Sequence, residues 1–96
     1  MKPVFHPDAA LEFKDAVRRY AEMDSALGSD FEAKVEESLV NAVVFPDAWR
    51  ELVPGIRRCL LRRFPYGIIY THDEDNFYVL AIMHLHQKPD YWKKRI

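Results

Sequence analysis

Two histidines, His84 and His86, stand two apart near the end of an apolar run. On a β-strand that spacing puts both on one face, where a metal site could begin. No third ligand accompanies them. Cys59 is the only cysteine, so neither a cysteine-based zinc site nor an intramolecular disulfide is expected, and no metal or cofactor is assigned. Arg57, Arg58, Arg62 and Arg63 place four guanidiniums within seven residues. Alternation along a strand sends Arg57 and Arg63 to one face and Arg58 and Arg62 to the other. Such arginines can hold nucleic-acid phosphates or the carboxylates of an acidic peptide through bidentate contacts. They can also solubilise an exposed strand or pair with Glu51, and their density tips the reading towards function. Lys88, Lys93, Lys94 and Arg95 surround Tyr91 and Trp92, a mixture that can clamp single-stranded nucleic acid. The preferred reading there is an aromatic lid on the core with lysines in water. Asp8, Glu12 and Asp15 fall at turn spacing and read as a solvated helix face. His6 and His72 sit at element ends and suggest no role.

These residues need a scaffold, and the patterning supplies one. Lys2–His6 reads as a short strand, ended by Pro7, which suits the first position of a helix. Phe13, Ala16, Val17, Tyr20 and Met23 then recur at three and four, one apolar stripe with charges around it. Ser25–Gly28 reads as a tight connection, and Ser29 with Glu32 as a capping box for a second helix carrying Phe31, Val35, Leu39, Ala42 and Val43 up to Phe45. Neither helix buries its stripe alone, so a sheet must follow. Ile56–Phe64, Gly67–His72 and Phe77–His86 are rich in β-branched, aromatic and aliphatic residues, with short connections that imply antiparallel neighbours. Phe77–Met83 does not alternate, as expected of a central strand covered on both faces. The tail from Lys88 is expected to fold back, laying Tyr91 and Trp92 on the sheet. The expectation is one α+β domain over residues 1–96: a short N-terminal strand and a helical hairpin on a mostly antiparallel sheet of three to four strands (β-α-α-β-β-β), ending in a short tail or helix.

Composition narrows the function. Hydrophobic residues make up 49% of the chain, enough for one core and unlike a disordered segment. With three glycines there is no glycine-rich phosphate loop, and neither a G-x-S-x-G elbow nor an H-E-x-x-H helix is present. No export signal or membrane span is indicated, and the lone cysteine suits a reducing compartment, so a cytoplasmic protein is expected. The net charge of −1 is unevenly spread: residues 1–49 carry 5 Lys/Arg against 10 Asp/Glu, and residues 50–96 carry 9 against 5. The basic half can meet an anionic partner.

In order along the chain, Phe5-His6-Pro7, Ile56-Arg57-Arg58, Phe64-Pro65-Tyr66, Tyr70, His84, Pro89-Asp90-Tyr91-Trp92 and Arg95 resemble the RelE/ParE toxin superfamily of type II toxin–antitoxin systems, and within it the ParE-like plasmid-stabilisation branch. That resemblance implies a growth inhibitor neutralised by a cognate antitoxin, typically of ribbon-helix-helix type, which would supply any contact with DNA. A groove of Phe13, Val17, Tyr20 and the second helix can accept an amphipathic helix, though the same residues can be plain core. RelE-like members are ribosome-dependent endoribonucleases acting on mRNA, whereas ParE-like members poison DNA gyrase. Arg58 and Leu60 occupy positions where the nuclease branch carries two lysines. Gly67 and His86 stand where it carries arginines. Only Tyr91 remains as its catalytic tyrosine. The resemblance therefore favours a non-enzymatic gyrase inhibitor whose target- or antitoxin-binding residues include Arg57, Arg58, Arg62, Arg63, Lys93, Lys94 and Arg95. The alternatives are a nuclease using His84, His86, Tyr91 and Arg58, or a degenerate toxin acting only as antitoxin co-repressor.

Overall fold

The computed structural model describes residues 1–96. Strand β1 (Pro3–Phe5) leads into helix α1 (Pro7–Met23), whose start is capped by the His6 imidazole: Nδ1 accepts from the Asp8 N–H at 3.0 Å. Helix α2 (Ser25–Val44) follows after a single residue. Asp24 closes one helix and opens the next. Its extended backbone donates N–H to the Tyr20 carbonyl, and its carboxylate accepts from the Ala26 N–H at 2.8 Å. The expected connection at Ser25–Gly28 is thus the first turn of α2, and Ser29 is an interior helical residue. Asp24 also sets an ionised acceptor at the positive end of the helix. Gly28 lets the hairpin close: a Cβ on it would lie 2.7 Å from Ala21 Cβ.

The sheet has five strands in the order β1-β5-β4-β3-β2, with β1 parallel to β5 and the other pairs antiparallel. The α+β architecture is as expected, with one strand more than the sequence reading gave. Strand β2 (Arg50–Val53) joins β3 (Ile56–Leu60) through Pro54-Gly55, and Gly55 takes the φ of +82° that a type II turn needs. β3 stops four residues short of the expected Phe64. Beyond Leu61 the chain turns through Arg63 at φ +70°, which swings Phe64 back under the helices. Arg62 and Arg63 therefore lie outside the strand, and the expected sorting of arginines by alternation does not reach them.

Strands β4 (Tyr66–His72) and β5 (Phe77–His84) form the centre of the sheet, covered on both faces as the unalternating sequence implied. Their register passes from Ile69↔Ala81 to Tyr70↔Val79, leaving Leu80 as an extra residue. This bulge resets the phase of β5. Phe77, Val79 and Ile82 face the helices with Tyr66, Ile68, Tyr70, Phe31, Val35 and Leu39, while Leu80, Ala81 and Met83 face the other way with Ile56, Ile69 and Trp92. The tail folds back as expected, ending in a 3-10 turn (Lys93–Arg95), and buries Trp92 on that second face. β1 reaches only as far as Val79 of β5, so the outer edge of β5 from Leu80 onward has no neighbouring strand.

Candidate functional site

That unpaired edge is finished by side chains. Glu12, on α1, accepts the Ile82 N–H at 3.1 Å, and Arg95 donates to the Leu80 carbonyl at 2.9 Å. The two hold each other in a fork of 2.9 and 3.0 Å, and the Tyr91 hydroxyl donates to Glu12 Oε2 at 2.7 Å. The Arg95 side chain is 9% exposed. Its guanidinium lies 4.9 Å from the centre of the Tyr91 ring, and its Nε, buried without a hydrogen bond, is 3.8 Å from an Asp8 carboxylate oxygen. Glu12 is accordingly no solvated carboxylate, which corrects the sequence reading. Burial, followed by the hydrogen bond to Glu12 and that carboxylate's charge, pushes the Tyr91 hydroxyl well above the ordinary tyrosine range. A tyrosine so held is a poor proton donor in water.

The remaining sequence candidates divide into those tied to the scaffold and those left free. Arg57 faces the helix side and donates to the carbonyls of Trp49 at 2.6 Å and Asp47 at 3.3 Å, and to Glu51 at 3.1 Å. His72 joins this knot through Asp47 at 3.0 Å. Arg63 pairs with Asp30 at 3.6 Å and covers the Phe64 ring. Arg58 points to the opposite face, its stem lying across Gly67, and neither hydrogen bond nor ion pair engages its guanidinium. Its direct cross-strand neighbour is Arg50, exposed and equally unpaired. Like charges placed side by side on a sheet oppose folding, so this pair marks a surface suited to an anion. Arg50 is not among the residues expected from the sequence, because the one signal for β2 there is Pro54-Gly55 between Val53 and Ile56. Arg62, Lys93 and Lys94 are exposed and free of carboxylates.

His84 ends β5 while His86 lies in the turn beyond it, so strand alternation does not pair them. The turn does: their rings are 5.0 Å apart, and the His86 N–H donates to His84 Nδ1 at 3.1 Å. His84 also meets the Tyr66 ring on the helix side of the sheet, across from Arg58. On the hairpin, Tyr20 packs in the core against Phe31 and Phe64, each 5.1 to 5.2 Å from a neighbouring ring, whereas Phe13 and Val17 line a shallow cleft of about 260 Å³ with Lys14, Arg18 and Glu32. No helix is long and apolar enough to cross a membrane.

A two-helix hairpin on a mixed sheet, sealed by its own C-terminal segment, with a cleft on the hairpin and a basic strand pair behind, defines a RelE/ParE-type α+β protein. The family model for the ParE toxin of the type II toxin–antitoxin system parDE matches residues 4–89, and the chain belongs to that family. Among solved structures it is similar to a chain of the chromosomal ParDE toxin–antitoxin system from P. aeruginosa. Identity is 22%, the TM-score is 0.59, and the match covers 90% of this chain and 97% of the other. At that identity the likeness speaks to fold. No curated protein matches. Membership brings with it an antitoxin partner.

Proposed function

We propose that this toxin arrests growth by binding DNA gyrase rather than by cutting RNA, and that a cognate antitoxin neutralises it by laying an amphipathic helix along the Phe13–Val17 cleft. The observation that carries this reading is the dispersal of the nuclease candidates. Tyr91 is bound to Glu12, Arg58 lies on the far side of the sheet from His84, and Gly67 and Leu60 offer no charge to a phosphoryl transition state. Arg50 and Arg58 supply the basic strand pair that would engage the target, and Arg62, Lys93 and Lys94 are further exposed cations available to it. The test is pulse-labelling within minutes of inducing the chain without antitoxin, together with supercoiling by purified gyrase. The reading expects DNA synthesis to fall before translation, and supercoiling to be inhibited by the wild type but weakly by an Arg50→Ala/Arg58→Ala variant. Early loss of protein synthesis with intact supercoiling would overturn it in favour of the ribosome.

A further inference from the structure

Between α1 and the ends of β4 and β5 lies a second cleft, of about 290 Å³, lined by Glu12, Asp15, Arg19, Tyr66, Ile82, His84 and Gln87. Its polar groups have an unusual balance. The carboxylates at its rim are already used: Glu12 by Arg95, Tyr91 and the Ile82 N–H, and Asp15 by Arg18 at 3.0 Å. Arg19 has no carboxylate within ion-pairing distance, and its one protein contact is a long 3.5 Å bond to the Tyr66 hydroxyl. The proton of that hydroxyl has no protein acceptor. His84 spends Nδ1 accepting from the His86 N–H, which places its proton on Nε2, and Nε2 has no partner. Gln87 spends its carbonyl oxygen on the His84 N–H at 3.3 Å, leaving its amide donors free.

Of the carboxylate oxygens around the cleft only Asp15 Oδ2, on an exposed side chain, is without a partner, while four donors, from α1, β4, β5 and the turn after it, have capacity left and one of them carries a positive charge with no ion pair. Donors in this proportion call for an acceptor-rich anion. A carboxylate offers two oxygens in one plane, whereas a phosphate group sets two or three non-bridging oxygens on a tetrahedral centre and suits a fork from arginine plus an O–H and an N–H arriving from other directions. We propose that the cleft binds a phosphate group, that of a nucleotide or of a polynucleotide backbone, with Arg19 supplying the charge and Tyr66, His84 and Gln87 the donors. The site is separate from the gyrase reading, because binding can be measured on the isolated protein.

The groups facing His84 are Glu12, Asp15 and Arg19 from α1, Tyr66 from β4, and His86 and Gln87 from the turn. Burial first, then the charges of His86 and Arg19, hold the His84 imidazole below its ordinary pKa. A bound phosphate offsets Arg19 and moves it back up.

The experiment is NMR of the imidazole and backbone signals of the whole chain, titrated near neutral pH with inorganic phosphate, with acetate, with a nucleoside monophosphate and with a dinucleoside monophosphate. Expected are saturable shifts at His84 and Gln87 with phosphate, a rise in the His84 titration midpoint, and affinity lowered about tenfold or more in Arg19→Gln, an exposed substitution that leaves the fold intact by circular dichroism. Response to the dinucleoside monophosphate supports a polynucleotide source. Response confined to the monoesters supports a free nucleotide. The proposal fails if phosphate moves none of these signals, if acetate binds as well as phosphate, or if Arg19→Gln binds phosphate undiminished.

Discussion

Two polar clusters lie side by side on α1, built from the same kinds of residue, and they are opposites. Glu12, Tyr91 and Arg95 form a closed set in which both carboxylate oxygens are doubly occupied and the arginine is nearly out of solvent. Arg19, two turns further along the helix, with Tyr66, His84 and Gln87, forms an open set whose only internal donation from these free groups is a long 3.5 Å bond from Arg19 to the Tyr66 hydroxyl. The first holds the sheet together; the second has something left to give a ligand. An arginine beside a tyrosine is therefore no guide to function until its acceptors have been accounted for.

The sharpest way to break this contrast is to open the closed cluster. Glu12→Ala strands Arg95 in the interior and leaves the Ile82 N–H without its acceptor, and should cost roughly 3–5 kcal/mol in guanidinium unfolding. Arg95→Ala should lose a similar amount. The double variant should lose clearly less than the two added together, because each single change leaves a buried charge unpaired; simple additivity would mean the two are not coupled. Tyr91→Phe removes one hydrogen bond to a charged acceptor, and a loss of about 1.5–3 kcal/mol is expected in the same assay. In the open cluster, Arg19→Gln should shift stability by less than about 0.5 kcal/mol, and a larger loss would show that Arg19 is structural. The smallest effect concerns pH. His84 titrates lower folded than unfolded, so the fold resists its protonation; that stability is present above the unfolded value near ~6.5 and is lost as pH falls through the folded value. Replacing His84 by Gln should flatten the decline in melting temperature between about pH 7 and pH 5.

Local signals carried the sequence reading a long way, and their limits are visible residue by residue. The apolar period of α1 from Phe13 to Tyr20 and the unalternating run of β5 told which faces would be buried, because both are set by neighbours three, four or two residues away, whereas Met23, at the end of that stripe, is exposed. Ser29 with Glu32 looked like a helix start, yet Asp24 lay five residues earlier with an equally good capping side chain; choosing between them needed the packing of Gly28 against Ala21. The end of β3 was hidden because Arg63 adopts a positive φ that an arginine side chain does not advertise. The basic and aromatic residues of the tail were legible as types and their roles were not. Arg95 was grouped with Lys93 and Lys94, and what sets it apart is a carboxylate 83 residues away. No periodicity reports a contact at that separation.

That separation also makes the tail a guard for the sheet. Glu12 and Arg95 seal the outer edge of β5 only while the tail is folded back. With the tail detached, β5 holds its outer backbone groups from Leu80 to Ile82 unguarded, the kind of open edge at which strands from separate molecules join.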